Sequence, residues 1–456
     1  MKWIYLLALF IFSLSTIPLS AQNYPGKHWQ QYQSPEEAGF SSEKLKPLFK
    51  ALEDYGSEAF IVIQDGKIAV QWGDAHRRFR QASIRKSYLN AVFGIYAEKE
   101  NWNLDQSLAD LNIDDLSPLT KEEKTARIKD LLAARSGVYH PSAYNTRSNA
   151  ANLPERGSHP PGAFWYYNNW DFNVLLTIFE QKSGKDFFRE FQKKIARPLQ
   201  MEDFRLFDTF YRLEEEVSRH PAYLFKMTAR DMGRFGWLIL NDGKWKNRQI
   251  VPQSWIEKSI RPVTKDLGPR FNNKGSYGWL WWISDGIDGH PMYYASGAGG
   301  QRICILPEDQ LVVVHLVDTY ESRNVSQEKI DHLLSMVLTA RTGSAVKDPR
   351  LATFVPPKVV YPDGKASDAF VKKIEGDYQH DFLGTFSISK EKEGLIMTAG
   401  IGRFHLYYEG ENRFVVEDML TPLVFKEGKG DQTGKVEAIM KKDGRTIDHV
   451  IFYYQG

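Results

Sequence analysis

Ser83-Ile84-Arg85-Lys86 sets a hydroxyl and an amine three residues apart. On a helix that spacing brings the two side chains to one face, one turn apart. A lysine held neutral there can take the serine proton, while the helix N-terminus offers backbone N–H groups to an oxyanion. The chemistry is attack by serine on a carbonyl carbon. The spacing by itself is common, since Ser41…Lys44, Ser344…Lys347 and Ser389…Lys392 also match it. Context favours Ser83, which opens a helix patterned by Tyr88, Leu89, Val92, Phe93 and Tyr96. A plain helix cap is the alternative reading of Ser83.

Two further stretches carry candidate groups. Pro160-Pro161-Gly162-Ala163-Phe164-Trp165-Tyr166-Tyr167-Asn168-Asn169-Trp170 runs into a helix beginning near Asp171. A tyrosine with an asparagine two residues on can bring a phenol and a carboxamide into one pocket. Both Tyr166…Asn168 and Tyr167…Asn169 fit. A nearby lysine ammonium is expected to lower the phenol pKa and make it a proton relay. Phe164, Trp165 and Trp170 read as core. The third stretch, Tyr293-Tyr294-Ala295-Ser296-Gly297-Ala298-Gly299-Gly300-Gln301-Arg302, leads into an apolar strand. Its glycines allow close approach to the backbone and a second oxyanion donor; a β-bulge is the alternative. Ser296, Gly297, Gln301 and Arg302 are the candidate substrate contacts.

The elements that position these groups alternate short strands with longer helices from about Ser34 to Gly343. Ala59–Gln64 and Lys67–Trp72 flank an Asp65-Gly66 turn and read as a hairpin. Helical patterns run from Ile84 to Lys99, Ile128 to Ala134, Phe172 to Lys182, Thr228 to Leu240 and Gln327 to Ala340. Strands are expected at Tyr277–Ile283 and Ile303–Leu316. Strands at both ends with helices between predict an α+β domain whose one sheet uses N- and C-terminal strands together. Residues 344–369 read as a linker. Residues 370–456 hold short strands from Thr385–Ile388 to Val450–Tyr454, separated by turns, and predict a separate all-β unit, a small barrel or sandwich.

Composition fits this reading. The chain has 456 residues, 42% hydrophobic and 25% charged, which excludes wholesale disorder. Lysine and arginine total 59 against 57 acidic residues, so no nucleic-acid partner is expected. Cys304 is the single cysteine, which excludes an internal disulfide framework. There is no Walker loop, dinucleotide fingerprint or His-Glu-x-x-His, and no metal or cofactor is expected. Residues 1–21 read as a signal peptide: Lys2, an apolar run from Trp3 to Ile17, then small residues to Ala21. The run is shorter than the roughly 20 residues that span a bilayer, so secretion or a periplasmic location is expected, without a membrane anchor.

Taken together, the order Ser-x-x-Lys, Tyr-x-Asn and a glycine-containing strand motif resembles class C serine β-lactamases, related penicillin-binding proteins and the esterases of that fold. Asp65-Gly66, Asn103-Leu104-Asp105, Leu131-Leu132-Ala133-Ala134-Arg135-Ser136-Gly137 and Pro161-Gly162 add to the resemblance, which covers about Ser34 to Ala340. The tail resembles a lipocalin-like β-barrel. The resemblance implies a β-lactamase/transpeptidase-like domain over residues 22–343, an antiparallel sheet flanked by helices plus a helical region, with Ser83 as nucleophile and Lys86 as general base. It selects Tyr167 and Asn169, because the upstream Pro-Gly spacing sets that register. The oxyanion pair it implies is the N–H groups of Ser83 and Ala298.

One motif departs from the family. Ala295-Ser296-Gly297 stands where β-lactamases have Lys-Thr-Gly, whose cation helps hold a substrate carboxylate. Arg341-Thr342-Gly343 reads as a decoy, leaving Arg302 or His290 as candidate replacements. The expectation is therefore a serine hydrolase acting on a small ester, amide or peptide. A β-lactamase or D-Ala-D-Ala carboxypeptidase is the alternative within the fold, and a non-catalytic binding or sensing protein the alternative outside catalysis.

Overall fold

The structure is a computed structural model and describes residues 24–268, 275–321, 324–355, 359–380, 384–400, 402–419, 422–427, 436–442 and 445–448. The leader at 1–21 and the strand expected at Val450–Tyr454 lie outside the described residues.

A nine-stranded sheet forms the frame. Its order is Leu351–Thr353, Gln30–Tyr32, Lys67–Gly73, Ala59–Gln64, Leu311–Leu316, Gln301–Leu306, His290–Gly297, Trp282–Ile287 and Ser276–Tyr277. N- and C-terminal strands thus share one sheet, and Ala59–Gln64 pairs antiparallel with Leu311–Leu316. In the hairpin turn Asp65 and Gly66 both adopt left-handed φ, 49° and 67°, as the twist of the flanking strands favours.

The central strands are buried on both faces. Ile61, Ile63, Ile303, Ile305, Val312 and Val314 face one core. Phe60, Val62, Cys304, Leu306, Leu311 and Val313 face the other, beneath helices Ser42–Asp54 and Gln327–Ala340. Period-2 alternation therefore places apolar residues on both sides, which is why these strands read as continuous apolar runs. Cys304 is a buried strand residue whose thiol is pushed up to about 12 by burial.

The first core is filled by a helical region around Arg85–Lys99. Every residue of that helix from Arg85 to Ala97 is buried. A helix enclosed on all sides fixes the orientation of anything mounted at its N-terminus. Gly94 permits the closest contact, since a Cβ there would stand 2.2 Å from the Trp255 ring.

Three local expectations fail for identifiable reasons. Tyr277–Ile283 is not one strand: the chain turns through Leu280, at φ 60°, between Ser276–Tyr277 and Trp282–Ile287. Ile303–Leu316 is two strands, because Pro307 lacks the N–H that would extend the ladder and Gln310 turns at φ 54°. The stretch read as a linker contributes the edge strand Leu351–Thr353, paired with Gln30–Tyr32. It also starts a helix, Asp368–Ile374, capped by the Ser367 hydroxyl, which accepts from the Phe370 N–H.

Beyond it, eight strands from Gly376 to Asp448 form a curled antiparallel meander. Tyr378, Phe386, Phe404, Phe414 and Phe425 supply its core. The meander sits against the strand pair Thr209–Glu214 and Ser218–Met227 through charged contacts. Arg205 Nη1 lies 2.7 Å from Glu417, and Lys226 Nζ donates to the Arg403 carbonyl at 3.0 Å.

Candidate active site

Ser83 stands between the short strand Phe79–Arg80 and helix Arg85–Lys99. It is half-buried, while Ala82 before it and Ile84 through Lys86 after it are buried. The Lys86 N–H donates to the Ser83 carbonyl at 3.1 Å, and this first turn brings Lys86 Nζ to 2.8 Å from Ser83 Oγ. Nζ also lies 4.9 Å from the ring centroids of Tyr167 and Phe172. Burial among these rings, together with the neighbouring Arg85 charge, pushes the Lys86 pKa well below that of a free lysine. A neutral amine beside a hydroxyl is a proton acceptor.

Tyr167 is the tyrosine that meets this pair. Its hydroxyl hydrogen-bonds the Ser83 side chain, and its ring packs against Phe172, Trp282 and Tyr277 at 5.0, 5.2 and 6.1 Å. Tyr166 points elsewhere, donating to the Asn149 carbonyl at 2.6 Å. The expected lowering of the phenol pKa is overturned. Burial pushes Tyr167 up to about 12, against the Ser83 hydrogen bond and the charges of Arg85 and Arg302. Tyr167 is therefore a protonated phenol at neutral pH rather than a base.

The two asparagines divide their work. Asn168 caps helix Asn169–Ser183: its side chain accepts from the Trp170 N–H at 3.2 Å and donates to Val138 O at 2.7 Å. Asn169 donates to Asn145 Oδ1 at 2.9 Å, and its own buried Oδ1 has no hydrogen-bond partner among the described residues.

The opposite wall is the end of strand His290–Gly297. A Cβ on Gly297 would stand 2.9 Å from Gln301 Oε1 and 3.3 Å from Ala82 Cβ, so glycine lets this strand end approach the serine segment. Ala298 follows as an exposed residue, and Gly300, at φ 99°, leaves room for the Val325 carbonyl, 2.5 Å from where a Cβ would be.

Of the residues read as substrate contacts, two have other work. Gln301 is fully buried and acts as a strut. Its Oε1 accepts from the Ala82 N–H at 2.9 Å, and its Nε2 donates to the Arg80 and Val317 carbonyls at 2.8 and 3.2 Å. Its amide ties the segment before the nucleophile to the strand that carries Ala298. Arg302 donates to the Gly297 and Gln301 carbonyls and, at 2.6 Å, to Gln327. These bonds hold the turn. Ser296 is half-buried beside them, opposite Arg302 in the strand ladder.

His290 is no replacement for the missing cation. It pairs with Asp309 at 2.8 Å, at the far end of its strand, roughly 20 Å from Gly297 by strand rise. Arg341 pairs with the same Asp309, as its reading as a decoy requires.

Sequence reasoning passed over several groups around the serine. Trp282 and Tyr277 wall Tyr167, and they were read as strand residues without a role in the site. Arg85 lies inside the Ser-x-x-Lys stretch, where the spacing assigns it no role. Its guanidinium faces Tyr223 and Tyr144, at 4.5 and 5.7 Å from the ring centroids. A charged residue in the first turn of an otherwise apolar helix was the available signal.

Comparisons with known proteins agree with this frame. The chain is similar to a Bacillus anthracis protein assigned as a 6-aminohexanoate-dimer hydrolase, at 21% identity and TM-score 0.52, over 70% of this chain and 89% of that one. It is also similar to a penicillin-binding protein homologue from Pyrococcus abyssi, at 16% identity and TM-score 0.49, over 89% and 94% of the two chains. A class C beta lactamase from Rhodobacter sphaeroides aligns at 17% identity and TM-score 0.47, over 65% and 99%. No curated protein matches the chain. The family model for beta-lactamase matches residues 46–334, most of the chain and all of the serine site. The chain belongs to the beta-lactamase family.

Proposed function

We propose that the protein is a serine hydrolase that cleaves an ester or amide through an acyl-enzyme on Ser83. The observation that carries this reading is the 2.8 Å approach of Lys86 Nζ to Ser83 Oγ inside an aromatic enclosure. Lys86 accepts the Ser83 proton as Oγ attacks the carbonyl carbon. The N–H groups of Ser83 and Ala298 receive the oxyanion. Tyr167, hydrogen-bonded to Ser83, relays that proton from Lys86 to the leaving group, which leaves Lys86 neutral again. Lys86 then takes a proton from water as the water attacks the acyl ester, and returns it to Ser83 Oγ as the acid leaves.

Ester or amide substrates are favoured over β-lactams because the buried Ala295 occupies the place of the family's third-motif cation. The leader-like run from Trp3 to Ile17 supports an exported enzyme; its catalytic unit extends to the edge strand Leu351–Thr353, and a β unit follows from about Phe370. Turnover of short p-nitrophenyl esters tests the reading. Ser83→Ala abolishes it and Tyr167→Phe lowers kcat by about a hundredfold. Unchanged rates in both variants would move the chemistry away from Ser83.

A further inference from the structure

Arg85 is a buried cation whose part in the acyl-enzyme chemistry is confined to its charge beside Lys86. It is 1% exposed, and its Nε and Nη1 have no hydrogen-bond partner among the described residues. The Tyr223 hydroxyl lies beside the guanidinium, within its hydrogen-bonding reach. Neighbouring arginines are matched: Arg77 pairs with Glu58 and Asp318, and Arg212 with Glu214. Among the described residues Arg85 takes part in none of these ion pairs. An unpaired buried charge is costly, by several kcal/mol in general, and such groups persist where a ligand completes them.

Its surroundings extend the positive field toward solvent. Tyr144, partly exposed, lies between two guanidinium groups, with Arg85 at 5.7 Å and Arg212 at 5.6 Å from its ring. The Tyr144 and Tyr320 hydroxyls are hydrogen-bonded, and Arg80 stacks 3.4 Å over the Tyr320 ring. Tyr144 holds φ 57°, a strained conformation for an aromatic residue, and its N–H donates to Glu214 at 3.2 Å. The acids that face this group are Glu214 and Asp318, and each already has an arginine partner. Arg80 lies in the field of Asp318, and among the described residues Arg85 has no carboxylate within ion-pair distance.

We propose that Arg85, with Tyr144 and Tyr223, forms an anion subsite beside Ser83, and that the substrates carry a carboxylate which this guanidinium binds. The inference rests on the serine-hydrolase reading and adds the substrate class. It differs in place from the cation of the family's third motif, because Arg85 comes from the nucleophile helix and faces Tyr144 and Tyr223. A planar guanidinium with two open donors matches a carboxylate, and charge-assisted hydrogen bonds of this kind are the strong ones.

Two substrate pairs test it. The first is p-nitrophenyl monoglutarate against p-nitrophenyl valerate, with the carboxylate on the acyl side. The second is the acetyl ester of hydroxybenzoate against that of hydroxybenzamide, with the carboxylate on the leaving group. The expected result is a preference of roughly tenfold or more in kcat/KM for the carboxylate member of at least one pair. Arg85→Met removes that preference while neutral esters still turn over, and Arg85→Lys keeps part of it.

Equal rates within both pairs in the unaltered enzyme would overturn the proposal without any variant. So would an Arg85→Met enzyme that slows both members of a pair by one factor, since Arg85 would then act only through Lys86. In either case Ser83-dependent turnover of the neutral esters leaves the hydrolase reading standing. Turnover of no ester would remove that reading, and this inference with it.

Discussion

Lys86 Nζ and Ser83 Oγ lie 2.8 Å apart, one helical turn from each other, in an enclosure of Tyr167 and Phe172. The same burial that makes the lysine a base also orders it. Helix Arg85–Lys99 is enclosed on every side, so the pair has little freedom to separate. Position and proton affinity thus follow from one packing decision.

The first prediction concerns pH. The Lys86 pKa lies well below 10.5, by burial and then by the Arg85 charge. kcat/KM for a neutral ester therefore rises with pH as Lys86 loses its proton, with a midpoint well below 10.5. Lys86→Ala lowers kcat by about 10²–10⁴-fold and removes this limb. Stability follows the same group with a definite sign. Between the folded pKa and 10.5 the unfolded chain holds more protons at this site, so its contribution to stability rises with pH across that window. Thermal melts of Lys86→Met against the unaltered protein check this: the variant gains most below the folded pKa and least near 10.5.

Gln301 gives the second. It is a positioning residue that joins Ala82, Arg80 and Val317 through one amide. Gln301→Ala removes the acceptor of the Ala82 N–H and one donor each from the Arg80 and Val317 carbonyls, and lowers stability by about 2 kcal/mol or more. It also lowers kcat more than it raises KM, because the serine segment and the Ala298 turn lose their common tie. Urea unfolding and steady-state kinetics on one preparation separate the two effects.

Acid should loosen the C-terminal meander. Burial works against the Glu417 charge, but hydrogen bonds from His405 and Arg205 and the charges of Arg205 and Lys226 hold its pKa well below 4.5. The stability this carboxylate contributes is present above its unfolded pKa and is lost as pH falls from there toward the folded value. Glu417→Gln removes the charge facing Arg205 and Lys226 and costs about 3 kcal/mol at neutral pH. Its loss of stability relative to the unaltered protein shrinks on acidification. Limited proteolysis between Asp368 and Asp448 along a pH series reads the same change locally.

Much of this frame is legible in the sequence. The Asp65-Gly66 hairpin, the helix from Arg85 to Lys99 and the helix from Gln327 to Ala340 have strong periodicity or turn chemistry of their own. The short strand Leu351–Thr353 has too few residues for a pattern, and its place is set by its partner Gln30–Tyr32. At the site, Ser83 and Lys86 are read from a local spacing. Gln301 was mistaken because its partners Ala82, Arg80 and Val317 are distant in sequence, and a buried glutamine looks the same in a sequence as an exposed one. The Tyr167 pKa is not legible in the sequence because burial, which only the fold supplies, outweighs the neighbouring charges. Arg85 shows the reverse case, a cation whose neighbours Tyr144 and Tyr223 only the fold supplies.

The central claim is that Ser83 becomes acylated. Reaction with a fluorophosphonate, followed by peptide mass mapping, measures this directly. The account predicts one stoichiometric adduct on Ser83, lost in Ser83→Ala and slowed by about 10²-fold or more in Lys86→Ala. An adduct on another residue, or undiminished labelling of folded Ser83→Ala, would contradict it.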